Sequence, residues 1–234
     1  MNITFISTFA DPSVPNPIPA IKNIPEWYRS IPRYMGEKKV PTENNVTPGT
    51  VKSCMPFLDA LSTGYLLLSS ADLYISKKST ETIYQWSSNN LISFHDQDQI
   101  KGYLKIEDKL KKEKVPKFNN PWIVKTPKNY SCLFVTPFHH NLPFTILEGV
   151  VDTDTYFLPV NFPFVLNPDF EGLIPKGTPI AQIIPFKREN WSMNTGSLEE
   201  SHKFEKKFRN ATGTLSGEFF DKYKKHYWMK KEYK

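Results

Sequence analysis

Apolar and polar positions alternate along this chain in short runs broken by Pro, Asn, Asp and Gly. The pattern is densest from residue 121 to 186, in "PWIVKT", "YSCLFVTPF", "FTILEGVV", "TYFLPV", "FPFVLN" and "PIAQIIPF". Short, β-branched and aromatic runs at this spacing predict an all-β barrel or sandwich. Upstream, "VKSCMPFLDALSTGYLLLSSADLYI" carries an apolar segment that ends in strand-like alternation, and "ETIYQWSSNNLISFHDQDQIKGYL" predicts a hairpin turning at "SSNN". "KIEDKLKKEKVPKFNN" has Leu and Lys at helical spacing but is short and charged, which predicts a solvated turn or loop.

The two ends read differently. "NITFIS" predicts a strand, and the proline-rich stretch after it contains "IPEWYRSIP", a helical turn with Pro25 near its first position. Trp27, Tyr28, Ile31 and Tyr34 offer more apolar surface than water tolerates, so this segment is expected to lie on the domain or on a neighbour. Beyond Trp191 two helix-like segments flank "NATGTLSG". In "EFFDKYKKHYWMKK", Phe220, Tyr223 and Tyr227 fall on one helical side and Trp228 lies beside them, as in an amphipathic docking helix. The organisation expected is a proline-rich arm over 1–50, a mainly β core over 51–190 and a helical, basic and aromatic extension over 191–234.

Composition sharpens this picture. A chain of 234 residues suits one core with appendages, and twenty prolines against ten glycines exclude long helices and central strands wherever prolines cluster. The formal charge is +6, and Lys203–Lys234 alone hold ten basic and four acidic residues (10 − 4 = +6), so the rest is balanced. Lysines among aromatics are also the ingredients of nucleic-acid binding, but a charge this modest favours packing, and nucleic acid is not an expected partner. Cys54 and Cys132 have no second Cys or His at metal spacing, which predicts two buried thiols rather than a disulfide or zinc site. The opening residues lack a basic start with an apolar core, and no apolar run is long enough to span a bilayer. The expectation is a protein that is neither secreted nor membrane-bound.

Candidate chemistry centres on "GVVDTDTY". Asp152 and Asp154 would share one strand face with Thr153 turned away, an arrangement that can hold a divalent cation or share a proton. "DTD" between two strands is equally good turn chemistry, and without a third acidic ligand nearby the turn reading is favoured. Adjacent His139 and His140 cannot face one site from a regular strand, which points to a loop or interface role. "SFHDQDQ" places His95, Asp96 and Asp98 close together, without the His-x-Asp spacing of a non-heme iron site, so it reads as a polar strand end. No metal site or cofactor is predicted. Gln182, in an apolar strand, is expected to bond backbone in the core or at a subunit contact.

These segments carry a resemblance. "ALSTGYLLL", "GVVDTDTY" and "IPKGTPIAQIIPF" resemble, in order, three motifs of the deoxyuridine triphosphatase (dUTPase) family, over roughly Leu61 to Phe186. The resemblance implies a dUTPase-like β-clip or barrel and a homotrimer. It places Asp152 at the position that holds the attacking water, Asp154 at a structural one, and Tyr156, displaced by one residue, near the sugar. The remaining parts depart from the family. Leu66 stands where a catalytic Asp is expected, "TPFHHN" replaces the phosphate-binding segment, and the glycine-rich closing tail is reduced to "NATGTLSG". Phosphoryl transfer depends on positioned cationic and backbone donors with a metal, so the fold is expected without the reaction. Across the whole chain, "IPEWY", "CMPFLDA", "NPWIVKTPKNYS" and "GTPIAQIIPFKRENW" are also similar to a family of uncharacterised proteins of tailed bacteriophages and some bacteria.

The expected function is therefore a non-enzymatic, phage-type structural or interaction protein, a homotrimer with other phage proteins as possible partners, in the host cytoplasm or the virion. Its contacts would be made through Trp27, Tyr28, Phe220, Tyr223, Tyr227 and Trp228. The alternative is a nucleotide-binding or nucleotide-processing protein with a rebuilt pocket of Asp152, Asp154, Tyr156, His139 and His140, in which Asp152 would be catalytic and Mg would be the cofactor.

Overall fold

The computed structural model describes residues 1–9, 11–35, 49–78, 81–88, 90–100, 114–205, 207, 209 and 223–234. Its contacts form two compact units, Met1–Lys22 with Gly64–Arg188, and Asn23–Thr63 with Glu189–Lys234. This grouping draws its boundaries at other residues than the expected arm, core and extension.

The first unit is mainly β, with all of its described strand pairs antiparallel. Its strands are β1 (Thr4–Ser7), β2 (Ile18–Pro19), β3 (Tyr65–Leu68), β4 (Leu73–Lys77), β5 (Thr82–Trp86), β6 (Ile92–His95), β7 (Val115–Phe118), β8 (Trp122–Lys125), β9 (Tyr130–Val135), β10 (Phe144–Ile146), β11 (Gly149–Val151), β12 (Phe162–Leu166), β13 (Gly172–Ile174) and β14 (Pro179–Lys187). They form a five-stranded sheet ordered β11-β9-β14-β3-β2, a four-stranded sheet β10-β12-β7-β6, a three-stranded sheet β13-β4-β5 and the pair β1-β8.

Alternation selects the buried face. Leu73 and Ile75 of β4, Phe144 and Ile146 of β10, and Phe162 and Phe164 of β12 point inward while their neighbours are more exposed. Phe118, Phe144 and Phe164 form an aromatic cluster in that core, with Phe118 and Phe164 stacked at 4.1 Å between centroids and Phe144 set edge-on to Phe118 at 5.0 Å. Such pairs each add about 1 kcal/mol beyond the area they bury.

Strand β14 is the spine of the five-stranded sheet. It pairs with β3 through Ile183↔Tyr65 and with β9 through Lys187↔Tyr130, and its first five residues are buried. Pro185 lies past the last residue paired with β3, where the strand has one neighbour and a missing donor is tolerated. Gly64 enters β3 with φ +71°, and a Cβ there would sit 1.9 Å from the Ile183 carbonyl oxygen. Only glycine permits that approach.

Two local expectations are corrected. "SSNN" does not turn a hairpin: β5 pairs with β4, whereas β6 pairs with β7, so the chain changes sheets there, with Asn90 at φ +67°. "TYFLPV" is not a strand. The Asp152 carbonyl accepts the amides of Thr155 (3.0 Å) and Tyr156 (2.9 Å), which turns the chain, and Pro159 lacks a ladder donor. The apolar segment before β3 forms a helix, α2 (Met55–Ser62), with proline in its first turn. The charged stretch over 101–113 lies outside the described residues.

The second unit contains α1 (Glu26–Ser30), capped by Pro25 as the sequence predicts, together with α2 and a helix over 198–205. Ser197 and Glu200 cap the last reciprocally, Glu200 Oε2 accepting the Ser197 amide at 2.8 Å and Ser197 Oγ the Glu200 amide at 3.3 Å. Among the described residues no helix is long and apolar enough to cross a membrane.

Replacing Gly64 by Ala is expected to destabilise the protein by about 3 kcal/mol or more, through the clash with Ile183 and the left-handed backbone together. Denaturant unfolding of the variant checks this.

Candidate functional site

The two aspartates of "DTD" sit where β11 ends, beside β9. Val151 pairs with Cys132 in the β9–β11 ladder, so the next residue, Asp152, comes beside Ser131. Ser131 Oγ donates to Asp152 Oδ1 at 2.6 Å. Thr153 turns inward, buried, with its hydroxyl 2.7 Å from that of Thr126 and 3.3 Å from Cys132 Sγ. The alternation read from sequence therefore holds at these three residues.

What the sequence reading missed is Arg188, the first residue after β14. Its amide donates to the Asn129 carbonyl at 2.8 Å, continuing the β9–β14 ladder and placing the guanidinium over the end of β9. Nη1 reaches Asp154 Oδ1 (2.8 Å), Ser131 Oγ (3.0 Å), Asp152 Oδ1 (3.1 Å) and the Tyr130 carbonyl (3.2 Å), while Nη2 donates to Asp154 Oδ2 at 2.5 Å. The Arg188–Asp154 pair is thus bidentate, the strongest geometry available to these groups. The Asn129 amide adds a bond to Asp154 Oδ2 at 2.8 Å, from a residue in the left-handed region at φ +69°.

Burial divides the two carboxylates. Asp154 is 5% exposed at its side chain, Arg188 35% and Asp152 62%. The Arg188 guanidinium, aided by the Asn129 amide against the cost of burial, holds the Asp154 carboxyl down at about 2. A carboxylate held that acidic and capped by arginine is a poor proton acceptor at neutral pH. Nearby, burial pushes the Cys132 thiol up to about 11, partly offset by the Thr153 hydroxyl, so it is inert. Cys54 is also a free thiol, but at the start of α2 it is half-buried rather than buried as expected.

The histidines lie elsewhere. They follow the opposite end of β9, and the four residue steps from Ser131 to Val135 span roughly 13 Å of strand. The loop is anchored by buried Gln182, whose Oε1 accepts the Phe138 amide at 2.9 Å. This is the backbone role read from sequence. His139 takes φ +57°, and burial lowers both histidine pKa values, the charge of His139 contributing to that of His140. His140 Nε2 is buried without a hydrogen-bond partner among the described residues. Tyr156 follows the aspartates in the same loop, with its ring exposed. The aspartates and Tyr156 thus share one end of β9 and the histidines take the other. Elsewhere His95 Nδ1 lies 2.6 Å from Gln99 Oε1 at the end of β6. Among the described residues no group of three or more His, Cys, Asp or Glu is placed to hold a metal ion.

The predicted contact residues fall in the second unit. Trp27 and Tyr28 of α1 pack on Phe57 of α2, Tyr28 stacked on it at 5.9 Å and Trp27 edge-on at 6.0 Å. Phe220 lies outside the described residues. Among the described residues the helical turn over 223–226 ends before Trp228, so the expected docking helix does not run on to Lys231. Tyr223 and Tyr227 are in ring contact at 6.4 Å, and Tyr227 faces solvent. Trp228 docks through a polar bond instead, its Nε1 donating to the Asp59 carboxylate at 3.0 and 3.1 Å. Lys231 pairs with the same carboxylate, and Thr63 Oγ1 donates to the Tyr233 hydroxyl at 3.0 Å. The C-terminal residues are clasped to α2.

No family model matches the chain, and no curated protein matches it.

Two outcomes are expected. The folded-state pKa of Asp154 lies below its ordinary 3.8, so its contribution to stability is complete above about pH 4 and is lost as pH falls towards 2. Thermal midpoints across that window should fall in the wild type and fall less in Asp154→Asn. Trp228→Phe, which removes the indole donor and keeps a smaller aromatic ring, should speed carboxypeptidase trimming of the C-terminus about fivefold or more, the equivalent of at least about 1 kcal/mol in local opening.

Proposed function

We propose that this protein is a non-enzymatic structural or interaction protein of phage type, built on a dUTPase-like β-clip and assembled as a homotrimer. The observation that carries the reading is Arg188. It engages both carboxylates that a hydrolase would keep for water and metal, and it closes Asp154 with two bonds. The apolar Leu66, buried in β3, supports the same conclusion, since a catalytic carboxylate is expected at its position.

The β-clip part of the reading is supported by placement. The segments that resemble the family lie on or beside β3, β11 and β14, which belong to one five-stranded sheet.

One observation favours the nucleotide-binding alternative, with Mg as its cofactor. Asp152 keeps its side chain 62% exposed, open to a hydroxyl or a hydrated cation. A thermal-shift panel of deoxynucleotides, ribonucleotides and cyclic nucleotides, with and without Mg, separates the two readings. The structural reading predicts a flat response. A saturable rise in midpoint with one nucleotide, diminished in Asp152→Ala, contradicts it.

A further inference from the structure

The basic charge of this chain sits at one end. Lys203–Lys234 hold all of the +6, and the other residues balance. Among the described residues the excess is densest over 223–234, where Lys224, Lys225, Lys230, Lys231 and Lys234 accompany a single acid, Glu232. All five lysines are exposed. Lys231 pairs with Asp59, and Lys230 and Lys234 share Glu232, whereas Lys224 and Lys225 have no ion-pair partner among the described residues. Set against these two carboxylates, the five lysines leave a local charge of +3 (5 − 2).

The backbone gives this segment a defined shape. The Tyr223 carbonyl accepts the amides of Tyr227 (3.0 Å) and Trp228 (2.9 Å), and Trp228 and Tyr233 fasten the chain to α2. Tyr227 is left 62% exposed, its ring 6.4 Å from that of Tyr223 and tilted 32° from it. Lys224 lies three residues before Tyr227 and is its neighbour on the surface of the turn. Packing of the tail's aromatic side is the ground on which nucleic acid is not expected, and that packing does not hold for Tyr227.

An aromatic ring standing in solvent beside unpaired ammonium groups suits a polyanion that carries flat rings of its own. Single-stranded nucleic acid supplies both, phosphates for the lysines and unpaired bases to stack on tyrosine. A duplex fits less well, because the helical turn over 223–226 is too short to fill a groove and residues 223–234 contain no arginine to read a base edge. A membrane surface also fits less well, since the indole of Trp228, the group best suited to enter lipid, is bonded to Asp59.

We propose that residues 223–234 bind single-stranded nucleic acid, with Lys224 and Lys225 on phosphates and a base stacked on Tyr227. Such binding adds to the structural role and does not depend on how many copies assemble. A mononucleotide engages too few of these groups at once to bind, so the nucleotide panel stays flat.

Fluorescence anisotropy with a labelled oligothymidylate of about 16 nucleotides, on the full-length chain, tests this, and far-UV circular dichroism establishes that each variant is folded. Three net charges on a single strand predict an affinity loss of about 20-fold between about 50 and 200 mM salt. Lys224→Ala/Lys225→Ala is expected to reduce that loss to about threefold. Tyr227→Ala should weaken binding about fivefold or more with the salt dependence kept, and Tyr227→Trp should restore it. Lys125→Ala, an exposed position on β8, should bind as the wild type does. Absence of binding at about 50 mM salt overturns the proposal. Unchanged binding in Tyr227→Ala, equal competition by polyglutamate, or tighter binding to a duplex of the same length overturns it by showing that charge alone acts. Displacement of the oligonucleotide by phosphatidylserine vesicles at equal charge overturns it in favour of a membrane surface.

Discussion

The guanidinium of Arg188 ties together segments distant in sequence: the Asn129–Ser131 entry into β9, the Asp152–Asp154 turn after β11, and the end of β14. Each depends on the others. Asp154 is nearly buried and would be a costly charge without its arginine, and Arg188 would have no fixed rotamer without the two carboxylates. Closure of this end of the sheet follows from the register of β9 with β14, because Lys187↔Tyr130 sets the next residue over the turn. At the start of β3 the same spine strand imposes a second constraint, the close approach of Gly64 to the Ile183 carbonyl. A salt bridge and a missing side chain thus fix one sheet at two places.

Much of this was legible in the residues. Apart from "TYFLPV", the short alternating runs from Trp122 to Lys187 became strands, α1 formed behind Pro25, and Gln182 bonds backbone from within the core. The failures have two causes. "SSNN" has hairpin composition, but a turn signal does not say which strands it joins, and β6 found its partner in β7. "TYFLPV" has strand composition, but the local turn closed on the Asp152 carbonyl curls its start, and Pro159 lacks a ladder donor. Arg188 escaped notice because its partners lie 34 and 36 residues away and the charged run "KREN" reads as a solvated strand end. Pairing and register are non-local, and a single sequence shows periodicity rather than partners.

Asp152 and Asp154 gain their meaning from that pairing. As an isolated motif they suggest acid–base or metal chemistry. Joined to Arg188, Ser131 and Asn129 they form a latch, and the turn they hold carries Phe157 and Leu158 into solvent. The bidentate arginine makes Asp154 a structural group of the turn rather than a proton acceptor. Closing Asp154 removes one base and fixes the turn, while Asp152 stays exposed.

The most direct test of the latch is a double-mutant cycle between Arg188→Ala and Asp154→Ala, read by denaturant unfolding at neutral pH. If the two residues act as one unit, the double variant is no less stable than the worse of the two single variants. Strictly additive losses would show that each side chain is held independently and would contradict the structural role assigned to the pair.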